Sequence, residues 1–272
     1  MDAHLTPALG QIFSALLEEA AGIHYGPDDR EIFEAKLLAH AEEAGFESLL
    51  DFYYRLRYDD PSGRAVNQLV EALVVHETYF FRELEPLVQL VDGHLTDVVR
   101  RKGRARVWSA ACSTGEEPLT LAMLLDDRDL LSRVEIIATD VSTRALARAG
   151  SGRHGRRSLR DGHPAALAQR YLEVGEVGVT VTPRMIEAVT FSQLNLVDEQ
   201  VVAAVGTVDA VLCRYVLFYF RDQVAISIVE RLGRLLARDG MLLVGVAESL
   251  FRFGTALRCE EQAGSFFYRK AA

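Results

Sequence analysis

The chain has 272 residues, of which 49% are hydrophobic and 25% charged, the balance of a globular protein large enough for one or two domains. No apolar run approaches the roughly 20 residues that cross a bilayer, and no signal peptide is visible at the N-terminus. The three cysteines, Cys112, Cys213 and Cys259, are odd in number and far apart. This spacing argues against disulfides and a structural zinc site, so we predict no metal and a reducing, cytoplasmic setting.

Charge is unevenly distributed along the chain. Residues 1–95 hold six basic and 18 acidic residues, whereas the whole chain has a net charge of −9. An acidic first part argues against nucleic acid or an anionic membrane as its partner. The segment 144–160, RALARAGSGRHGRRSLR, instead carries six arginines and no acid. It either meets an acidic protein surface or forms a solvated loop and helix end, and the pattern favours neither.

Residues 1–95 show apolar side chains at helical spacing, separated by turn-forming clusters. The pattern predicts a small all-helical domain and linker over 1–95, with a further helix from about Glu83 to Val99. Its breakers are Gly26-Pro27-Asp28-Asp29, Ala44-Gly45 and Asp59-Asp60-Pro61-Ser62-Gly63.

From Arg104 onward, strand and helix patterns alternate, which predicts a doubly wound α/β domain over 96–272. The alternation stops over about 150–188, where a small β hairpin is predicted as an insertion. Two short runs at the end of the chain predict a hairpin that closes the sheet. The predicted strands are Val107–Ala110, Val134–Thr139, Val189–Leu194, Val208–Cys213, Met241–Val246, Ala256–Cys259 and Ser265–Lys270, and the predicted helices are Glu116–Leu125, Thr143–Ala149 and Gln223–Ala237.

The run RVWSAACSTGEEPLTLAM, residues 106–123, reads as a buried strand, a loop of small residues and the start of a helix. The next predicted strand ends on Asp140, whose carboxylate could accept both hydroxyls of a ribose. The loop lacks the G-x-G-x-x-G pattern of dinucleotide sites. Glu116 and Glu117 would repel a pyrophosphate but accept hydrogen bonds from an ammonium group. These features favour S-adenosylmethionine, which joins a ribose to a positively charged end.

Three further segments carry polar residues suited to a ligand site. HETYFFRE, 76–83, places an arginine after two phenylalanines, although it could equally be a capped helix end with its aromatics in the core. FSQLNLVD, 191–198, places an asparagine at a strand end, where it either faces an adenine edge or forms a turn. AVLCRYVLFYF, 210–220, places Arg214 and Tyr219 beyond a buried strand, with a core position as the alternative for the tyrosine.

Together these segments resemble the CheR family of chemotaxis receptor methyltransferases. The matching motifs are ETYFFR at 77–82, WSAACSTGEEP at 108–118, ATD at 138–140, NL at 195–196, CRYVLFYF at 213–220 and DGMLLVGVAESL at 239–250. Six ordered motifs, one of them eleven residues long, make the resemblance specific, and it extends from about residue 5 to the C-terminus. It implies a class I (Rossmann-like) methyltransferase domain with an N-terminal all-helical domain and a small inserted β subdomain.

The resemblance also implies an activity, which is transfer of the methyl group of S-adenosylmethionine to glutamate side chains of chemoreceptor helices. We expect a monomer that binds no nucleic acid and does not insert into the membrane. Arg214, Tyr219 and Arg82 would be the catalytic residues. The cofactor would be bound by Asp140 at the ribose, by Asn195 and Leu196 at the adenine, and by Thr78, Arg82, Ala110, Glu117 and Arg214 around the methionine end.

The sequence departs from the family pattern at three places. The family has asparagine where His76 and Tyr215 stand, and we expect the larger tyrosine either to alter how Arg214 is held or to crowd the pocket. The segment EIFEAKLLAHAEEAGFE, 31–47, is acidic where many relatives are basic. Two alternatives to the receptor methyltransferase follow: a non-catalytic relative that binds S-adenosylmethionine or its demethylated product and acts through partners, and a small-molecule O-methyltransferase, which the absence of a lid-like segment disfavours.

Overall fold

The computed structural model describes residues 5–262 and 264–270 and divides into two compact units. One unit ends at Val75 and also contains Tyr219–Val224. The other comprises His76–Phe218 and the chain from Ala225 onward. The mixed α/β architecture predicted from the sequence, with helices preceding an α/β unit, is confirmed.

The first unit is built from helices around an aromatic core. The rings of Phe13 and Phe52 stack with centroids 5.9 Å apart. Thr6 caps the first helix by accepting the N–H of Leu9, and Gly22 ends it in a left-handed conformation. The helices are α1 (Pro7–Ala21), α2 (Arg30–Glu43), α3 (Leu49–Tyr58) and α4 (Arg64–Leu73).

The second unit contains a seven-stranded sheet in the order β6-β2-β1-β7-β8-β10-β9. The pairs from β6 to β8 are parallel, and β10 is antiparallel to both of its neighbours. The strands are β1 (Ala105–Ala110), β2 (Val134–Asp140), β6 (Val189–Gln193), β7 (Val208–Leu212), β8 (Leu236–Leu243), β9 (Arg258–Gln262) and β10 (Ser265–Arg269). The predicted closing hairpin is therefore confirmed.

The order of the strands reverses between β1 and β7. From β1 the chain proceeds outward to β2 and β6, then returns to lay β7 on the other side of β1. Such a reversal opens a crevice at the carboxyl ends of the strands, where ligands bind in open α/β sheets. Ala110, Asp140 and Arg214 all lie at or just after strand ends on this edge.

Helices cover this sheet within the second unit. The single helix predicted over 83–99 begins at Leu84 and ends at Lys102, with a π-helical segment, Leu90–Leu95, between two α-helical parts. The helices are α5 (Leu84–Gln89), α6 (Thr96–Lys102), α7 (Glu116–Asp127), α8 (Thr143–Ser151), α9 (Ala165–Tyr171), α10 (Pro183–Glu187), α11 (Glu199–Ala203) and α12 (Asp222–Leu235).

The predicted insertion is a separate three-stranded sheet. Strand β5 (Gly178–Val181) pairs antiparallel with β4 (Leu172–Val174), which is the predicted hairpin, and also with β3 (Arg153–Gly155). Gly178 is required here because a Cβ at this position would lie 2.1 Å from the carbonyl oxygen of His154. Strand β3 escaped prediction because its three residues are too few to show alternation and, unlike β4, it is not joined to β5 by a short turn.

Other limits also differ from the sequence prediction. Strand β8 begins at Leu236, within the helix predicted over Gln223–Ala237, because α12 ends at Leu235. Strand β8 ends at Leu243 rather than at Val246, because the N–H of Gly245 bonds to the Glu248 side chain instead of a neighbouring strand. The segment 76–95, placed above with the helical domain and linker, packs here in the core of the α/β unit through Leu87, Leu90 and Val91. The limits of independently folding domains stay a prediction. Among the described residues, no helix is both long and apolar enough to span a membrane.

A buried hydrogen bond joins the two central strands. Trp108 of β1 is fully buried, and its indole N–H donates to the hydroxyl of Thr139 on β2 at 2.9 Å. Without that acceptor, a buried donor would be left unsatisfied.

We therefore expect Thr139→Val to lower the free energy of unfolding by roughly 1–3 kcal/mol. Trp108 is the only tryptophan in the sequence, so its fluorescence during denaturant titration reports the change. Thr190→Val makes the same chemical change at an exposed position of β6 and should alter stability by less than about 0.5 kcal/mol. Equal losses in the two variants would show that the hydrogen bond does not contribute.

Candidate functional site

The loop between β1 and α7 follows an unusual backbone path. Ala111, Ser113 and Gly115 all have positive φ, at 60°, 52° and 93°. A Cβ on Gly115 would lie 2.6 Å from the Cβ of Ala149, so only glycine lets α8 approach this closely. The small residues of the motif thus bring the loop, α7 and α8 together at one edge of the sheet.

Asp140, the last residue of β2, is tied to this loop. Its Oδ2 accepts the N–H of Ser113 at 2.8 Å, and its Oδ1 accepts the N–H of Ser142 at 3.0 Å. Burial raises the pKa of Asp140, while these two N–H groups, the N–H of Val141 and the nearby imidazole of His76 act in the opposite direction. A carboxylate offers about four acceptor positions, and the N–H groups of Ser113, Ser142 and Val141 take three of them, so a position remains for a ligand hydroxyl.

His76 lies beside the same carboxylate. Its Nδ1 is 3.4 Å from the hydroxyl oxygen of Ser113, whose own backbone N–H binds Asp140. The imidazole therefore adds a group that can be positively charged within reach of the carboxylate.

The two acids of the GEEP motif, Glu116 and Glu117, lie in different environments. Glu116 is 1% exposed, lies 3.1 Å from His154 Nδ1 and accepts the hydroxyl of Thr114 at 2.6 Å. Although burial opposes it, the pKa of Glu116 is lowered by His154 and by these hydrogen bonds. Glu116 is thus engaged in the core and is not available to an ammonium group, contrary to the expectation for the pair. Glu117 alone is turned towards the crevice, where Ser109 donates to it at 2.7 Å.

Arg214 is the buried charge of the site, with a side chain only 2% exposed. Its Nη1 bonds Glu117 at 3.0 Å, and its Nη2 bonds Glu83 at 2.8 Å and the carbonyl oxygen of Arg82 at 2.9 Å. Its Nε is buried and has no hydrogen-bond partner within the described part of the chain. A buried donor without an acceptor is rare in folded proteins, and this one lies at the carboxyl edge of the sheet.

Glu248 shapes the loop that follows β7. Its carboxylate accepts the backbone N–H groups of Val216, Leu217 and Gly245 at 2.8–3.0 Å, together with that of Tyr215. Burial raises the pKa of Glu248, and these donors partly oppose the shift. The result is a loop that holds Tyr215 at a φ of 59°, a left-handed conformation that aromatic residues rarely adopt.

The segment 76–83 is an irregular loop in which Phe80 and Phe81 are buried, so the capped helix end is excluded. The guanidinium of Arg82 lies over the ring of Tyr215, with its Cζ 3.4 Å from the ring centroid, and it donates to the carbonyl oxygen of Glu77 at 2.9 Å. Thr78 is half-buried in the same loop.

The remaining predicted residues lie at other places. Asn195 and Leu196 follow β6, where the Asn195 side chain accepts the N–H of Val197 at 3.3 Å and Leu196 is buried. The turn-forming role is therefore present. Ala110 is the buried last residue of β1. Tyr219 belongs to the helical unit, where its carbonyl oxygen accepts the N–H of His24 at 2.7 Å.

Within the α/β unit, the structure thus brings Arg82, Glu117 and Arg214 into one cluster and places Asp140 with the loop before α7. Sequence reasoning missed Glu83 and Glu248. Glu83 directly follows the motif ETYFFR, and Glu248 lies within the motif DGMLLVGVAESL. A buried arginine such as Arg214 needs acidic neighbours, and this requirement is the signal that could have identified them.

The two buried cysteines near this edge are disfavoured as nucleophiles. Burial raises the pKa values of the Cys112 and Cys213 thiols well above their ordinary range. In the described residues, no three His, Cys, Asp or Glu side chains gather as a metal site would require.

The carboxyl edge of the sheet thus combines a switch point, the Asp140 carboxylate at the end of β2 and the charged cluster of Arg82, Glu117 and Arg214, as expected of a ligand site in an open α/β sheet. The family model for the CheR methyltransferase SAM-binding domain matches residues 76–265. The chain therefore belongs to the CheR methyltransferase family, and it is an S-adenosylmethionine-dependent methyltransferase of the class I fold.

Curated relatives agree with this assignment. Chemotaxis protein methyltransferase 1 of Pseudomonas aeruginosa is 32% identical over 249 residues, 88% of this chain and 89% of the relative. The chemotaxis protein methyltransferase of Escherichia coli is 33% identical over 87% of this chain and 82% of its own length. A probable biofilm formation methyltransferase of P. aeruginosa is 37% identical over 72% of this chain but only 47% of its own length.

Proposed function

We propose that the protein transfers the methyl group of S-adenosylmethionine to glutamate carboxylates of chemoreceptor cytoplasmic helices, yielding methyl esters and S-adenosylhomocysteine. The observation that carries this proposal is the buried Arg214, flanked by Glu117 and Glu83, with its Nε facing no partner among the described residues. A carboxylate acceptor would satisfy that donor, and the chemotaxis methyltransferases that the chain resembles support the receptor as substrate.

The residues of the crevice fit the methyl donor. Asp140 already accepts three backbone N–H groups and keeps an acceptor position for a ribose hydroxyl. Glu117 and Arg82 present opposite charges to the ammonium and carboxylate groups of the methionine end. The other proposed contacts are Thr78 and Ala110 at that end and Asn195 and Leu196 at the adenine.

The reaction needs alignment rather than a base. A glutamate carboxylate is ionised near pH 7, so it is already a nucleophile. S-adenosylmethionine supplies an electrophilic methyl group, and as the O–C bond forms, the C–S electron pair returns to sulfur. Because both charges disappear, a site that stabilised either too strongly would raise the barrier. Arg214 meets this condition because Glu83 and Glu117 already neutralise much of its charge.

In this proposal Arg214 orients the acceptor carboxylate and Tyr219 sets its geometry by packing or hydrogen bonding. Alignment of this kind supplies roughly 7–11 kcal/mol of a barrier in favourable cases. The protein would act in the cytoplasm, where the receptor helices are accessible to a monomer.

The arginine-rich segment 144–160 supports an acidic protein as the partner. Arg144 and Arg148 are four residues apart on α8, so they share a side of the helix, and Arg153, Arg156 and Arg157 follow on the inserted subdomain. All five side chains are exposed. Helix α8 begins just after Asp140, so this surface starts beside the crevice. Helix α2, in contrast, is acidic and does not offer a basic face.

The direct test is transfer of radiolabelled methyl from S-adenosylmethionine to membrane receptors of the host, scored as base-labile ester. We expect the unaltered protein to label them. Arg214→Ala should reduce turnover by about 100-fold, and Tyr219→Phe by up to about tenfold, with cofactor affinity measured separately by calorimetry. Tight cofactor binding without labelling of any receptor would instead favour the non-catalytic module, and unchanged turnover in both variants would remove the two catalytic assignments.

The role of Asp140 predicts a pH dependence of cofactor affinity. An ionised Asp140 accepts ribose hydroxyls, and a protonated one accepts fewer, so affinity should fall as pH drops through its raised pKa. The midpoint should therefore lie above the value of about 3.9 for an unperturbed aspartate. Calorimetry with S-adenosylhomocysteine at a series of pH values measures this.

Two variants separate Asp140 from its neighbour. The Asp140→Asn variant should bind S-adenosylhomocysteine weakly at every pH of the series. The His76→Asn variant should still lose affinity as the pH falls, because it removes only the adjacent imidazole. An affinity of the unaltered protein that stays constant down to the pKa of an ordinary aspartate would contradict the assignment.

Charge reversal tests the arginine-rich surface. We expect Arg148→Glu combined with Arg157→Glu to lower kcat/KM for receptor about tenfold, with a weaker salt dependence and an unchanged affinity for S-adenosylhomocysteine. Arg104→Glu with Arg133→Glu is the matched control, because these exposed arginines precede β1 and β2 at the opposite edge of the sheet. Equal effects of the two pairs would show that only net charge matters.

A further inference from the structure

Tyr215 occupies a backbone conformation that its side chain does not favour. Its φ of 59° is left-handed, a region in which asparagine and glycine are at ease and a tyrosine is strained. Strained residues persist where their surroundings over-determine them, and they cluster at functional sites. Here Glu248 fixes the conformation by accepting the backbone N–H of Tyr215 and of Val216.

The side chain of Tyr215, despite its strained backbone, makes two polar contacts. Its ring carries the guanidinium of Arg82, whose Cζ lies 3.4 Å from the ring centroid. Its hydroxyl bonds to Oε1 of Glu83, and Oε2 of the same Glu83 accepts Arg214 Nη2 at 2.8 Å. Tyr215 thus contacts Arg82 directly and is linked to Arg214 through the carboxylate of Glu83.

These contacts differ from those of an aromatic core residue. Tyr215 is only half-buried, and the face of its ring meets a cation rather than an aliphatic side chain. A guanidinium stacked on an aromatic face is attracted by the ring and loses rotamer freedom. Arg82 is further restricted because its Nη1 donates to the carbonyl oxygen of Glu77 at 2.9 Å.

We infer that Tyr215 is a positioning residue that holds Arg82 ready for the carboxylate of the donor's methionine end. The inference rests on the proposed function, which assigns that carboxylate to Arg82. A side chain ordered before binding need not be ordered by the ligand, so the stack increases affinity for any ligand that carries the carboxylate. A ligand without this group gains nothing from Tyr215.

Two ligands separate this role from a structural one. S-adenosylhomocysteine carries the amino acid end, whereas 5′-methylthioadenosine retains the adenosine and the sulfur but lacks that end. For Tyr215→Asn we expect about a tenfold loss of affinity for S-adenosylhomocysteine and less than a twofold change for 5′-methylthioadenosine. Tyr215→Phe keeps the ring under Arg82 and should stay within about threefold of the unaltered protein for both ligands.

A thermal measurement excludes misfolding as the cause. Asparagine tolerates the left-handed conformation, so Tyr215→Asn should unfold at the same temperature or about 2–4 °C higher. A loss of affinity without a loss of stability cannot come from a damaged fold. If the variant unfolds at a lower temperature and loses affinity for both ligands alike, Tyr215 is structural and the inference is wrong.

A double-mutant cycle identifies the partner. If Tyr215 acts through Arg82, then Tyr215→Asn should cost no further affinity for S-adenosylhomocysteine in an Arg82→Ala background. Additive losses would overturn the inference while leaving the proposed function intact. Failure of the unaltered protein to bind either ligand would count against the proposed function itself, so the two failures are distinguishable.

Discussion

The carboxyl edge of the sheet in the α/β unit depends on the ion pairs of one buried group, the guanidinium of Arg214. An isolated charge with a 2% exposed side chain is costly, so this one must be neutralised by neighbours. Glu117 arrives from the start of α7 and Glu83 from the loop before α5. Three segments distant in sequence are thereby joined, and removing one partner from such a buried pair costs roughly 3–5 kcal/mol.

The same edge shows how backbone groups prepare a binding site. Asp140 and Glu248 are both buried acids that accept backbone N–H groups, and each holds a loop at the end of a strand. Asp140 joins the loop after β1 to the turn before α8, and Glu248 organises the loop after β7. Unusual φ values at Ser113 and Tyr215 occur in the loops that these carboxylates hold. The strain is thus placed where the ligand is expected to contact the protein.

Much of the fold could be predicted from the sequence because strands and helices alternate with clear periodicity after Arg104. Strands β1 and β2 and helix α7 carry long apolar runs, and the sequence predicted their limits to within a few residues. The end of β8 and the short β3 could not be predicted, because the first depends on the Glu248 side chain and the second is too short for alternation. The motifs made Asp140, Glu117 and Arg214 candidate site residues, whereas the inward orientation of Glu116 depends on His154, 38 residues away.

The crystal structure of the protein with S-adenosylhomocysteine tests the account most directly. It should show the ribose donating a hydroxyl to Asp140, the ammonium group at Glu117 and the carboxylate at Arg82, with that arginine still over the ring of Tyr215. A ligand whose ribose lies away from Asp140, or whose carboxylate faces a residue other than Arg82, would contradict it.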